Sequence, residues 1–424
     1  MFDIKLIREN PEAVKENIKK KFQTHKIPLV DKVLLLDESW RKLKAEADSL
    51  RHKKNEISEK INLAKKNEED ISALMKEAKE ISIRIENIEK KTTEMQEEIK
   101  SILNQIPNMV SPYTPVGKEN KEIKRWGKIR NFDFPVKTHV EILENLGLAD
   151  FDASAKVSGK GFYYIKGSFA LLNQALIRFA IDFMAKKGYQ YIETPLMLNK
   201  KSIYASMDKE AIENSVYSIV GEDLNLIGTA EQSLLAMHSG DAIPESDLPK
   251  KYFSYSMCFR KEIGAHGINE KGLWRTHQFN KVEQFIFCKP EDSEKYYEEL
   301  LRNSEEILQA LKLPYRVVEI CTAELGDWKY RSADLEVWRP TTNEYGEVMS
   351  LSNCTDYQAR KLNIKCVDKH GNRRILHTLN DTALATSRIL VAIVENYQQK
   401  DGTVLIPEVL WPYMNGIDRL EKIK

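Results

Sequence analysis

No glycine occurs before Gly117, and no proline lies between Pro28 and Pro107. A stretch of that length without breakers, rich in Lys, Glu, Ile and Leu, is helical by propensity. Cysteines are few: Cys258, Cys288, Cys321, Cys354 and Cys366, an odd count with no Cys-x-x-Cys pair. That argues against a disulfide framework and against a zinc site, and no zinc is expected. No run of eighteen apolar residues is present, and the amino terminus has early acids and no apolar signal core. The reading is a soluble, cytoplasmic protein with no membrane segment. Net charge is also missing: 65 Lys+Arg against 64 Asp+Glu leave +1, so any nucleic-acid partner must be held by local patches. At 424 residues the chain has room for two or three domains, each with its own core.

Within the breaker-free stretch the periodicity is sharp. Leu36, Trp40, Leu43, Ala47, Leu50, Lys54, Ile57, Ile61 and Ala64 step by alternating fours and threes. So do Leu74, Ala78, Ile81, Ile85, Ile88, Thr92, Met95, Ile99, Ile102 and Ile106. These are two heptad seams. The polar break Lys65-Lys66-Asn67-Glu68-Glu69-Asp70 is short, which predicts an antiparallel coiled-coil hairpin over about residues 30–106. Because only the seam is apolar, the hairpin reads as an arm projecting into solvent. Its charges are mixed. Arg41, Lys44, Arg51 and Lys54 are basic, but acids such as Glu46, Asp48 and Glu56 lie among them, as on any solvated face. Backbone-phosphate binding needs clustered cations, so composition leaves RNA contact, a dimerisation coil and a plain strut all open.

From Ser111 to Gly117 the chain turns irregular, which marks a linker, and beyond it glycine, aromatic and β-branched residues return. The organisation expected is an arm over residues 1–110 and a second domain over 111–424. Two strand-like runs stand out there, Phe259-Arg260-Lys261-Glu262 and Arg275-Thr276-His277-Gln278-Phe279-Asn280-Lys281-Val282-Glu283. A stretch holding Gly264, Gly267 and Gly272 separates them as a long hairpin loop. Guanidiniums, carboxylates and an aromatic on paired strands can hold a polyphosphate, an ammonium and the face of an adenine, which points to adenylate chemistry. The plainer alternative is an exposed cross-strand ladder of salt bridges.

Phe-Arg-x-Glu, a variable loop, then Arg-x-His-Gln-Phe-x-Lys-Val-Glu resembles motif 2 of the class II aminoacyl-tRNA synthetases, in the version of the seryl-tRNA synthetases. The helical pattern Leu171–Lys187, Gly188 and Tyr189-Gln-Tyr-Ile-Glu-Thr-Pro195 resembles motif 1, which implies a homodimer. Glu344-Tyr-Gly-Glu347-Val348-Met349-Ser350 resembles the strand carrying metal and ATP ligands. Thr378-Leu-Asn380-Asp381-Thr382 through Arg388 resembles motif 3. Here Asp381, Thr382 and Ala383 stand where the common bacterial form has glycines and a serine, as in the archaeal and eukaryotic cytosolic branch.

The resemblance implies an α+β fold: the hairpin, then a class II catalytic domain on a mainly antiparallel sheet flanked by helices. It implies a ligase that joins L-serine to the 3′ end of tRNA(Ser) through seryl-adenylate, with tRNA(Sec) as a further expected acceptor. ATP would meet Arg260, Lys261, Glu262, Arg275, Thr276, Phe279, Glu347, Val348, Met349, Ser350 and Arg388. Of these, Arg260 would face the α-phosphate, Arg275 and Arg388 the outer phosphates, and Phe279 the adenine. Glu262 would hold Arg260 or approach the adenine amino group. Magnesium would sit on Glu347 and Ser350, a hard ion on oxygen ligands. Serine would meet Thr229, Ala230, Glu231, Glu283, Asn380 and Thr382, although Thr229 alone reads equally well as a helix cap. On the arm, Arg41, Lys44, Arg51 and Lys54 become candidates for tRNA contact. Lys54 also occupies a seam position where a lysine stem can lie along apolar neighbours. The competing readings are a class II relative for another small amino acid or a carrier protein, a non-catalytic RNA-binding paralogue, and a coiled-coil scaffold.

Overall fold

The structure is a computed structural model that describes residues 1–422 apart from 264–266 and 268–269. Gly264 of the hairpin loop therefore lies outside the described residues. Two compact units divide after Pro107.

In the first unit, α1 (Ile4–Glu9) and α2 (Pro11–Lys20) precede the long helices α3 (Ile27–Lys66) and α4 (Ser72–Leu103). The short pair start where local chemistry directs. Asp3 accepts from the Lys5 N–H at 2.9 Å and Asn10 from the Ala13 N–H at 3.0 Å, with Pro11 opening α2. α3 and α4 form the expected antiparallel hairpin. Its ion pairs run in opposite order along the two helices, Lys32–Glu98 and Lys53–Glu77 both at 2.7 Å. The seam positions Ala47, Ile57, Ala64, Ile81, Ile85, Ile88, Ile99 and Ile102 are buried. An isoleucine buried in full contributes about 1.5–3 kcal/mol, against about 0–1 for an exposed ion pair. The seam, not the charges, holds the arm together.

The second unit is built on an eight-stranded sheet. In chain order its strands are β1 (Lys121–Trp126), β2 (Gln190–Tyr191), β3 (Lys250–Phe259), β4 (Gln278–Cys288), β5 (Tyr315–Glu319), β6 (Arg331–Arg339), β7 (Glu344–Thr355) and β8 (His377–Ala385). In space they run β1-β5-β6-β7-β8-β4-β3-β2, antiparallel throughout except that β2 pairs parallel with β3. β4 lies inside the sheet and is buried on both faces. Its Val282 and Ile286 join a core built with α5 (Gly167–Lys186), α7 (Ser293–Ala310) and α9 (Thr386–Tyr397). Phe285 and Phe287, in the opposite register, pack with α6 (Ala230–Ala236) and α8 (Tyr357–Leu362).

α5 is the helix whose sequence resembles motif 1. It ends ahead of Gly188, whose φ of +81° suits a residue without a Cβ. By length and composition it could cross a membrane, yet Phe169, Leu172, Leu176, Ala180 and Met184 are buried in the core. It is the core helix of this sheet.

Candidate active site

Where α6 and α8 stop covering the sheet, the face of β3, β4, β7 and β8 opens into a cavity of about 410 Å³. Every residue expected at the nucleotide or at serine lines it, except Lys261 and Ala230. Ala230 is wholly buried beneath it, and the Lys261 N–H closes a loop onto the Ser215 carbonyl at 2.8 Å.

β3 and β4 place the hairpin pair. Phe259 is opposite Gln278, and the Arg260 N–H donates to the His277 carbonyl at 2.9 Å. The Arg260 Nε donates to the Gly228 carbonyl at 3.1 Å, and the guanidinium lies 5.3 Å from the centre of the Phe279 ring. Glu262 turns elsewhere. Its backbone is left-handed, with φ of +53°, and its carboxylate accepts from Arg275 at 2.6 Å. Among the described residues the guanidinium of Arg260 meets no carboxylate, and the paired strands carry no exposed ladder. Of the two partners open to Glu262 from sequence, Arg260 is not the one it holds.

β7 supplies Glu347 and Ser350. Three residues apart on a regular strand, they would face opposite sides of the sheet. A bulge brings them together: Leu335 pairs with Met349 and Glu336 with Glu347, leaving Val348 as the extra residue. At the amino end of α9, Arg388 donates to the Glu347 carbonyl at 2.8 Å and meets its carboxylate at 3.1 Å. The Glu347 side chain remains 45% exposed toward the cavity. Crowding by protein raises its pKa, but the charge and hydrogen bond of Arg388, together with the charges of Arg260 and Lys329, outweigh this and hold the group below the usual carboxylate range. Across from Ser350, Asp334 is pushed up to about 7 by burial and by the Glu347 charge.

At the deep end, Thr229 does cap α6, accepting from the Glu231 N–H at 3.2 Å, while also lining the cavity. Its capping and site readings are one geometry. Glu231 is buried in the first turn of α6, and its Oε1 accepts from Gln358 Nε2 at 2.7 Å and Asn380 Nδ2 at 3.1 Å. Burial first, then repulsion from Glu283, pushes it up to about 7 against the pull of the Gln358 bond. Glu283 meets Lys281 at 2.6 Å, both buried. A second bulge, at Ala383, lets Thr382 and Ala385 both line the cavity. Asp381 faces the other way, accepting from Gln284 Nε2 at 3.1 Å and from Ser304 at 2.5 Å.

Sequence reasoning missed Lys281, Gln358, Trp274 and Lys329. Lys281 was legible, being two residues from Glu283 and hence on the same strand face. Trp274 adjoins Arg275 and packs between Arg339, at 4.1 Å, and Arg388, at 5.6 Å from its ring centre. Gln358 lies on α8, in the stretch running on from Ser350 to Arg360 that shares the resemblance of the metal strand, but its spelling does not point it at Glu231, and Lys329 comes from a loop with no local mark. Among the described residues, no group of three or more His, Cys, Asp or Glu side chains is placed to hold a metal alone. Glu347 and Ser350 offer a hard, partial donor set of the kind an ion needs when phosphate and water oxygens complete its shell.

Comparison with known proteins gives the arrangement a context. A family model described as the Seryl-tRNA synthetase N-terminal domain matches residues 1–110, and one described as the tRNA synthetase class II core domain (G, H, P, S and T) matches 216–397. A curated protein named Serine–tRNA ligase from Methanocella arvoryzae is 47% identical over 425 residues, spanning 99% of this chain and 100% of its own. The crystal structure of seryl-tRNA synthetase from Pyrococcus horikoshii complexed with ATP is 42% identical with a TM-score of 0.95, covering 100% of both chains. That of the cytoplasmic serine–tRNA ligase from Naegleria fowleri in complex with AMP is 36% identical with a TM-score of 0.89, covering 100% of this chain and 99% of its own.

Proposed function

The chain belongs to the seryl-tRNA synthetases, and on that premise we propose how its cavity activates serine with ATP and passes the seryl group to tRNA. The serine carboxylate attacks the α-phosphorus and pyrophosphate leaves; the terminal adenosine hydroxyl of tRNA then takes the seryl group and AMP leaves. The first step needs no general base, because a carboxylate is already a nucleophile. Its catalysis is in-line positioning plus neutralisation of charge at phosphorus and on the leaving group.

Arg260, with its guanidinium charge uncommitted, is assigned to the α-phosphate. Arg275, braced by Glu262, and Arg388, braced by Glu347, are assigned to the outer phosphates, and Phe279 to the adenine face with Thr276 beside it. Val348 and Met349 border the nucleotide from β7, and Lys261 acts through the loop it closes. Glu347 and Ser350 would hold magnesium, which when bound supplies positive charge between the phosphates. Glu231 and Glu283 take the serine ammonium, and Thr229, Asn380 and Thr382 border its side chain above Ala230.

The observation that carries this reading is the convergence of three arginines and two buried acids on one cavity. Serine-dependent ATP–pyrophosphate exchange, followed by transfer to tRNA, tests it. A site that hydrogen-bonds the serine hydroxyl rejects alanine by about 10⁴-fold, while threonine, excluded by shape, is a closer competitor. Exchange driven equally well by alanine would defeat the assignment.

Residues 1–110 are assigned to grip tRNA(Ser), with tRNA(Sec) as a second acceptor, and 111–424 to catalysis in the cytoplasm. On the arm, Arg41 pairs with Asp37 at 3.0 Å, Lys44 with Asp48 at 3.7 Å and Arg51 with Glu89 at 2.6 Å, while Lys54 is half-buried on the seam. Phosphate contact by the first three would exchange these pairs for RNA, two of them exposed and the third leaving the buried Asp37 to Arg8. Motif 1 is assigned to a homodimer, supported by the exposed apolar side chains of Leu171, Tyr191, Leu196 and Met197. Light scattering of the purified protein reads that state directly.

A further inference from the structure

Lys281 and Glu283 share one face of β4, and their charged groups meet at 2.6 Å with side chains only 7% and 2% exposed. A lysine this deeply placed is costly unless paired, and its partner is one of the two acids of the proposed serine subsite. The strands on either side leave the pair to itself. On β3 the residues opposite are Ser256 and Ser254, and on β8 they are Ala385 and Thr382, all short and none charged. The other charged or titratable groups bearing on this pocket are Glu231 from α6, Lys329 from the loop before β6, Cys258 on β3, Arg260 just past it, and Asp381. Asp381 is turned to the opposite face, where Ser304 and Gln284 donate to it. Both Lys281 and Glu283 line the cavity, so whatever binds beside Glu283 meets this ammonium too.

We propose that Lys281 is a positioning residue of the serine subsite, its ammonium holding the Glu283 carboxylate in place and countering the repulsion that Glu283 exerts on Glu231. Glu283 repels Glu231, and Lys281 acts against that repulsion. Without this lysine the two carboxylates share a buried pocket with only Lys329 and Arg260 as neighbouring cations, and Glu231 takes up a proton at higher pH. Serine must then displace that proton before its ammonium can bind. This inference rests on the assignment of the serine subsite to Glu231 and Glu283.

The test is the pH profile of kcat/KM for serine in ATP–pyrophosphate exchange, on the full chain and on K281M, K281Q and K281R. In K281M the acid limb moves to higher pH by roughly one to three units, the span a neighbouring opposite charge commands. KM for serine at pH 7 rises about tenfold or more, and KM for ATP stays at its wild-type value. K281Q, which keeps a polar contact to Glu283, carries the same expectation if K281M fails to fold. K281R, which keeps the charge, restores the wild-type limb. A limb unmoved in the neutral variants, whatever their melting temperature, overturns the proposal and leaves Lys281 a packing residue. E231Q and E283Q separate the two readings. If they leave KM for serine unchanged, the subsite assignment itself fails. If they raise it while K281M and K281Q keep the wild-type limb, only the role of Lys281 is lost.

Discussion

Replacing Arg260 with alanine separates a substrate-binding hairpin from a structural one, because the two accounts place the cost in different measurements. Among the described residues, the Arg260 side chain makes one hydrogen bond, to the Gly228 carbonyl at 3.1 Å, and one contact with the Phe279 ring. A hydrogen bond of that kind contributes about 0.5–1.5 kcal/mol and a cation–π contact about 0.5–1. The variant therefore loses about 1–2.5 kcal/mol of stability and stays folded. If the guanidinium faces the phosphate at which negative charge develops, its loss costs about 3–4 kcal/mol of transition-state stabilisation, roughly 10²–10³-fold in rate. Serine-dependent ATP–pyrophosphate exchange reads the second quantity and thermal unfolding the first. Arg316 serves as the control, since it makes a true cross-strand pair with Glu336 at 2.6 Å on β5 and β6. Arg316→Ala should cost about 0–1 kcal/mol of stability and leave exchange alone. Equal, small effects of the two substitutions would refute the reasoning.

Two further substitutions probe the scaffold around the site, and a double one probes the arm. A Cβ on Gly346 would lie 2.4 Å from the Trp274 ring, so Gly346→Ala should cost about 1–3 kcal/mol by overpacking. It should also raise KM for ATP, because the Trp274 carbonyl takes a hydrogen bond from Arg388 at 3.3 Å. Burial drives the Asp381 pKa far above its ordinary value. The folded state then holds a proton that the unfolded chain releases near pH 4, so wild-type stability falls as pH rises above that point. Asp381→Asn removes this term, and its melting temperature should gain on the wild type as pH rises above about 4. On the arm, neutralising Arg41 and Arg51 together should raise KM for tRNA most at low salt while exchange stays unchanged, as expected for phosphate contacts.

What could be read from the chain alone follows the range over which each feature is encoded. The arm is a local object: a repeat of three or four residues puts Ile57 on the stripe of one helix and Ile81 and Ile85 on the stripe of the other, and the two stripes meet in one seam. The motif 2 hairpin is nearly as local, because strand alternation places Phe279, Lys281 and Glu283 on one face. The same alternation misleads at Glu347 and Ser350. Only the extra residue at Val348 turns both toward the cavity, and a bulge is set by pairing with β6, not by the spelling of β7. Glu262 is a finer case. Arg260 and Arg275 are both near, and one left-handed backbone angle decides between them, at a cost of order 1 kcal/mol that the ion pair to Arg275 offsets. The environment of Glu231 is the least legible. Its proton affinity depends on Gln358, Asn380 and Glu283, delivered by α8, β8 and β4 from more than fifty residues away along the chain. A motif can therefore name which side chains enter this cavity, while their charge states are set by long-range pairings that only the folded sheet brings about.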